Sequence, residues 1–393
     1  MRALKMIART FALVGSRVHA ARQRLVWALV GSLVAGSRAT VTELGRGVAR
    51  RIQEKHAIKC ADRALSNPHL QAERLLWYRE IAAQVIGPDA RPVVLIDGTD
   101  LEDDDGALRA SIALDGRAVT ILNEAHPKTS LNKPRVVRRF LRQLAQVLPD
   151  GCRPIIVGDG AFRGPFFKQV VHLGWDYVGR LSSNVWVRNS EFTARVRDLF
   201  SRARRQPHDL GICEHTARRY RGRLVVYDGR TAKAKRSRRK PPKGQKCVRY
   251  RRRKAQEPWV LVTSLEEHAA REIVAIYAQR MQIEETFRDD KSPRFGLGLS
   301  LGRCRNRERL NVMLLLLALA AFVLLVVGLA AESTGVAKRF QANTLRHRRT
   351  LSIVFLGARV LRRADPSLLR SVLDRIRPTL HRLPAFSDSR SPS

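Results

Sequence analysis

Residues 91–125 read RPVVLIDGTDLEDDDGALRASIALDGRAVTILNEA, and their pattern decides the fold. Pro92 to Ile96 is a short apolar run, the length of a buried strand rather than a helix, and it closes on Asp97 and Asp100. ALRASIAL and RAVTILNEA are two further strands, joined by Asp115-Gly116, a dipeptide suited to the left-handed backbone of a tight hairpin. Downstream the periodicity alternates. PRVVRRFLRQLAQVL (134–148) has helical amphipathic spacing, and RPIIVGDG (153–160) is a second buried strand closing on Asp159. PFFKQVVHLG (165–174) is a helix and WDYVGRLSS (175–183) a fifth strand.

Three strands, helix, strand, helix, strand and then late helices is an order similar to that of ribonuclease-H-like domains. The expected class is α/β: a ribonuclease-H-like core, a mixed sheet with helices, interrupted by a β-rich insertion and flanked by helical N- and C-terminal regions. Residues 1–90 are expected to be a basic helical DNA-binding region. Within it, RQRLVWALVGSLV, a GSRAT turn and VTELGRGVARRI have the general form of a helix-turn-helix. Residues 91–182 form the first part of the core and 266–331 the second. Between them, 183–265 carry the insertion, with strand-like NVWVR, RLVVYD and PWVLVTS and a basic loop. Residues 332–393 are a basic C-terminal region ending in a Ser/Pro-rich tail.

Charge narrows the partners. Lys and Arg number 74 and Asp and Glu 35, a net charge of +39. Such an excess strains a compact chain through self-repulsion unless a polyanion neutralises it, and nucleic acid is the usual one. From Arg230 to Lys254, 14 of 25 residues are basic, so this block is either a solvated loop or a clamp on phosphates. The five cysteines are scattered, odd in number and never in CxxC spacing, which excludes a disulfide framework and fits a reducing cytosol. Residues 1–42 contain no acid, but their apolar run is broken by Gly and Ser and starts too late for a leader peptide. LNVMLLLLALAAFVLLVVGLAA (310–331) is long enough to span a membrane, yet basic residues flank both ends. A buried core helix is the expectation; a membrane-anchored basic protein is the alternative.

YAQRMQIEETFRDDK (277–291) is the functional counterpart of the opening stretch. At about 100° per residue, Tyr277, Arg280, Glu284 and Lys291 fall within one narrow face of a single helix, along roughly 20 Å. Ile276, Ile283 and Phe287 form an apolar stripe beside them. Pro293 disfavours helix at Ser292, which puts Lys291 in the last turn. This Tyr, Arg, Glu, Lys spacing resembles the signature of DDE transposases of the insertion-sequence-four family.

The resemblance covers about residues 60–330. It implies a cut-and-paste DNA transposase that cleaves at the ends of its insertion sequence and joins them to a target. Asp97, followed by Gly98 and Thr99, is similar to the family's first aspartate, and Asp159 in VGDGAFRG has the setting of the second. In a ribonuclease-H-like sheet the first and fourth strands are neighbours, which would bring both together. Glu284 is the third acid; Glu285 points about 100° away on a helix. These three would be the catalytic residues and the metal ligands. Carboxylate oxygens suit Mg²⁺, two ions suit an in-line displacement at a phosphodiester, and Mn²⁺ would substitute. Tyr277, Arg280 and Lys291 would hold phosphates, and Trp259 in EPWVLVTS would be the counterpart of a tryptophan that receives a flipped base. A core tryptophan on a strand is the alternative for Trp259. The acidic run Glu102–Asp105 reads as a solvated turn. The expected partner is double-stranded DNA, at element ends and target, gripped by a homodimer, with no small-molecule substrate and no membrane. The expected location is the bacterial cytoplasm, at the nucleoid. A nuclease or resolvase on the same core, cutting without joining, is the rival activity.

Overall fold

The computed structural model describes residues 2–48, 52–87, 90–101, 104–114, 116–131, 133–162, 164–215, 220–229, 257–304, 306–342 and 350–387. The basic block Arg230–Lys254 lies outside them. Asp115 and the Ser/Pro-rich end of the chain also lie outside. The chain divides into two compact units, one of Met1–Pro154 with Met281–Arg390, the other built on Ile155–Arg280.

The first unit begins with helices α1 (Arg2–Ala8), α2 (Ala12–Arg17), α3 (Ala20–Ala35), α4 (Val41–Val48), α5 (Glu54–Leu65) and α6 (Pro68–Val85). The GSRAT segment does join α3 to α4, and it starts at Gly36, whose φ of 122° an L side chain would strain to adopt. α6 starts where Asn67-Pro68 predicts a boundary: the Asn67 side chain accepts from Leu70 N at 3.1 Å and Pro68 takes the first helical position.

β1 (Val93–Asp100), β2 (Asp105–Leu114) and β3 (Arg117–Pro127) form an antiparallel meander, ordered β3-β2-β1. Leu114 faces Arg117, which leaves the two-residue turn expected of Asp115-Gly116, with Gly116 at φ 78°. β2 is buried along its whole length, so this sheet is covered on both faces rather than one. α7 (Pro134–Val147) follows and packs on α6 and β3.

α10 (Met281–Lys291), α11 (Arg307–Ser333), α12 (Ile353–Arg363) and α13 (Pro366–Ser387) complete the unit. α11 is the apolar segment. Asn306 caps it, accepting from Glu308 N and Arg309 N at 2.8 and 3.1 Å. α3, α6, α12, α13 and β3 surround it, and 89% of its apolar window is buried inside the fold. It is therefore built as a core helix, although by length and hydropathy it could cross a membrane.

The crossing of α11 and α12 requires glycine on both sides. A Cβ on Gly328 would stand 2.0 Å from Ile353 O, and one on Gly357 would stand 1.9 Å from Leu324 O. Both obstacles are backbone and cannot rotate aside. Gly328→Ala or Gly357→Ala should cost about 1–3 kcal/mol by forcing the helices apart. Thermal unfolding followed by circular dichroism checks this, and a wild-type midpoint for both variants would mean the helices are not this close.

Asp105 corrects the reading of the acidic run as a solvated turn. It is 7% exposed and accepts from Arg307 Nε at 2.6 Å, tying the start of α11 to the start of β2. The partner lies 202 positions away in sequence, so nothing local betrayed it.

The second unit holds β4 (Ile155–Gly158), α8 (Gly164–His172), β5 (Asp176–Arg180), β6 (Trp186–Arg188), β7 (Thr193–Arg195), β8 (His208–His215), β9 (Tyr220–Tyr227), β10 (Trp259–Thr263) and α9 (Ala270–Ala278). Its strands are ordered β4-β5-β10-β9-β8-β6-β7. β4 and β5 are parallel and bridged by α8; β5, β10, β9 and β8 pair antiparallel. Phe167 of α8 points the tip of its ring at β5, where a Cβ on Gly179 would meet it at 2.1 Å. The expected order of strands and helices is thus observed, and the fold is α/β with mixed pairing. β7 and β8 were not anticipated: β7 is three residues long and β8 has no clean alternation.

One expectation fails. Tyr277–Lys291 is not a single helix, because α9 stops at Ala278 and α10 starts at Met281. Between them Gln279 N and Arg280 N bond to the carbonyls of Ile276 and Tyr277, three residues back instead of four, which tightens the chain out of α-helical register. The break coincides with the boundary of the two units. The common face therefore applies within each half only. The other end is as expected, with α10 closing at Lys291.

Candidate active site

In the first unit Asp97 stands where β1 passes from buried to half-buried residues. Gly98 N donates to its Oδ1 at 2.8 Å, which holds the carboxylate three residues short of the end of β1. Asp97 pairs in register with Arg109 of β2, so the two side chains share a face of the sheet. Thr99, two residues on, shares that face too.

α10 is stitched to this sheet along its length. Gln282 Oε1 accepts from Leu114 N at 3.1 Å, and Thr286 Oγ1 accepts from Ala118 N at 3.0 Å. Arg117 Nε donates to Asp289 at 2.7 Å. Arg109, 2% exposed, is ion-paired with Asp290, donates Nε to Asn123 Oδ1 at 2.8 Å, and lies 4.4 Å above the Phe287 ring. Lys291 Nζ ends the row, donating to Thr99 Oγ1 at 2.6 Å and Asp100 O at 2.5 Å. Burial pulls the Lys291 ammonium below the usual lysine value, while the Asp100 carboxylate acts to raise it. Glu284, half-buried, precedes Lys291 by seven residues, roughly 10 Å along the same face of α10. Glu285 turns away from it, to Arg288 at 2.7 Å and Arg117 at 3.8 Å.

In the second unit Asp159 follows β4 directly. Its Oδ1 accepts from Ala161 N at 2.8 Å, an Asx-type turn, and α8 begins only at Gly164, so Asp159 is not that helix's N-cap. Tyr277, 3% exposed, sits edge-on to the half-buried Trp259 with ring centroids 5.0 Å apart; Tyr227 flanks Trp259 at 5.8 Å. Burial raises the Tyr277 phenol above its ordinary value; Arg280 and Arg180 oppose this, and Asp159 adds to it. The phenol therefore stays protonated and can donate a hydrogen bond at neutral pH. Trp259 is thus half-buried, packed between the two tyrosine rings.

Thus the first unit holds Asp97 and, docked on the same sheet, the helix carrying Glu284 and Lys291, whose Nζ reaches Thr99; the second gathers Asp159, Tyr277 and Arg280, with Trp259 against Tyr277. Among the described residues no group of three or more His, Cys, Asp or Glu side chains is gathered to hold an ion. Sequence reasoning missed Arg180, at the end of β5, and the pair Arg109–Asp290. Arg109 alone carried a signal: a charged residue in the middle of an apolar strand.

The sequence matches the family of transposase DDE domains over residues 88–321, well over half of the chain. The chain belongs to the DDE transposase family. The matched span runs from β1 through most of α11, so it contains Asp97, Asp159 and Glu284. No curated protein matches the transposase. Among solved structures, a piggyBac transposase synaptic complex with hairpin DNA is similar at 13% identity and a TM-score of 0.40, covering 95% of this chain and 80% of that one. DDE transposases generally work with divalent metal ions, and the donor chemistry here fits: each acid offers carboxylate oxygen, the ligand of hard divalent cations.

Proposed function

We propose that this DDE transposase is of the insertion-sequence-four type and moves DNA by cut and paste. It would bind the ends of its element, cleave there, and join the freed 3′-hydroxyl to a target. The observation that carries the reading is the placement of Asp97 within β1 where its burial ends, of Asp159 directly after β4, and of Glu284 on a helix pinned to the sheet that bears Asp97.

Asp97, Asp159 and Glu284 would hold two Mg²⁺ ions, replaceable by Mn²⁺. Bound there, the ions would supply Lewis-acid stabilisation of the attacking and leaving oxygens. Arg280 would meet a phosphate, backed by the neutral phenol of Tyr277, while Lys291 would hold a second phosphate next to Thr99. Trp259 would offer a ring face to a base extruded from the duplex. Two protomers would act together, since two ends are joined in one reaction, in a bacterial cytoplasm at the nucleoid. The basic, helical residues 1–90 would contact DNA outside the catalytic core, and no small molecule would be a substrate.

The test is strand transfer of a linear DNA bearing the inverted repeats that flank the gene. Cleavage without joining would favour the nuclease or resolvase reading. A linked expectation concerns grip. Each phosphate neutralised on duplex DNA contributes about −0.9 to the slope of log K against log salt. Deleting part of Arg230–Lys254 should flatten that slope by several units and leave single-turnover cleavage at saturating protein unchanged. An unchanged slope would make this block a solvated loop.

A further inference from the structure

The far edge of the second unit carries a feature that the cleavage chemistry does not use. β7 is the edge strand, paired only with β6, and Trp186 faces Arg195 across the pair. Trp186 is 42% exposed, high for a large apolar side chain. The guanidinium of Arg195 lies 5.0 Å over its ring, and a few residues away the guanidinium of Arg202 lies 4.7 Å over Phe192. Neither arginine has an ion-pair partner among the described residues. Of the neighbouring carboxylates, Glu214 pairs with Arg188 at 2.8 Å, and Asp198 accepts from Arg195 N at 3.1 Å and lies 3.7 Å from Arg197; Glu191 forms no ion pair with Arg195 or Arg202 among the described residues. Residues 183–205 contain six arginines against two acids.

An arginine on an aromatic ring loses little further freedom when it meets an anion, because the ring already holds its plane. Two such groups without ion-pair partners, seven positions apart in a stretch rich in arginine, match a row of phosphates better than they match a protein surface. We propose that the Trp186–Arg195 and Phe192–Arg202 pairs form a second DNA-contact surface, which holds the backbone of a duplex away from the catalytic acids. The proposal rests on the reading of this chain as a DNA-binding transposase. It adds a surface that neither the acids nor Arg230–Lys254 supply.

The experiment measures binding of the full-length protein to a 30-base-pair duplex of arbitrary sequence, by fluorescence anisotropy across a salt series. Arg195→Ala with Arg202→Ala should flatten the log K against log salt slope by about 1.8, two contacts at about 0.9 each, and weaken binding about tenfold at 0.1 M salt. Arg195→Lys with Arg202→Lys should keep the slope and bind only a fewfold more weakly, since an ammonium keeps the charge but does not stack. Trp186→Ala should also keep the slope and weaken binding severalfold. Wild-type slope and affinity in the double alanine variant would overturn the proposal. So would unchanged DNA binding together with an altered oligomeric state in sedimentation, which would mark the edge as a contact between copies. If the wild type binds duplex and the variants behave as expected, but no strand is ever cut, the transposition reading fails and this surface stands.

Discussion

Asp97→Ala, Asp159→Ala and Glu284→Ala should each abolish strand cleavage while leaving affinity for end DNA nearly intact. If the three share two ions as proposed, they do not substitute for one another, and loss of any one removes charge stabilisation from the transition state and little from the ground state. A fall of a thousandfold or more in single-turnover rate corresponds to about 4 kcal/mol, at 1.36 kcal/mol per decade. The controls are close at hand. Asp100 meets Lys291 through its backbone carbonyl, so Asp100→Ala keeps that bond. Glu285 faces Arg288 and Arg117 in half-exposed pairs, and such pairs contribute about 1 kcal/mol or less. Both control variants should cut DNA at close to the wild-type rate. An acid whose alanine variant still cleaves normally does not belong to the site.

The second large effect is on stability. Arg109 and Asp290 are both nearly inaccessible to solvent, at 2% and 3% exposure. Removing one partner strands the other charge in the core, a change that typically costs about 3–5 kcal/mol. Asp290→Ala and Arg109→Met should each lower the melting midpoint by roughly 10 °C. Replacing both, as Arg109→Met with Asp290→Leu, should recover most of the loss, because an apolar pair needs no solvent and fills similar space. Differential scanning calorimetry of the three variants decides the point. Single variants that melt with the wild type would show that water reaches the pair.

How much of this could be read from the chain depends on how local the cause is. β1 to β5 and their intervening helices were legible, because apolar runs, helical spacing and Asp115-Gly116 act over a few residues. Lys291 as the end of α10 was legible through Pro293. The break at Gln279–Arg280 was not: neither glycine nor proline marks it, and the amphipathic spacing runs on as though the helix did. Asp105 and Asp290 were illegible for a different reason, since their arginines lie 202 and 181 positions away. In the candidate site, the aspartates that close the apolar runs led to β1 and to the residue after β4, and the spacing of Arg280, Glu284 and Lys291 led to α10 and the turn before it. The division of those residues between two units had no signal in the sequence.

The neighbours of α11 are made at different times. When this helix leaves the ribosome, α3, α6 and β3 already exist, whereas α12 and α13, which cover its remaining sides, are still to be synthesised. For that interval a segment with a mean hydropathy of 3.2 is only partly sheathed and looks, to the secretion machinery and to other nascent chains, like a membrane anchor. A gene truncated after α11 leaves the polypeptide in that state permanently. Decayed copies of such an element would then burden their host with a sticky fragment, not merely an inert one, which gives the last two helices a value to the cell that is separate from transposition.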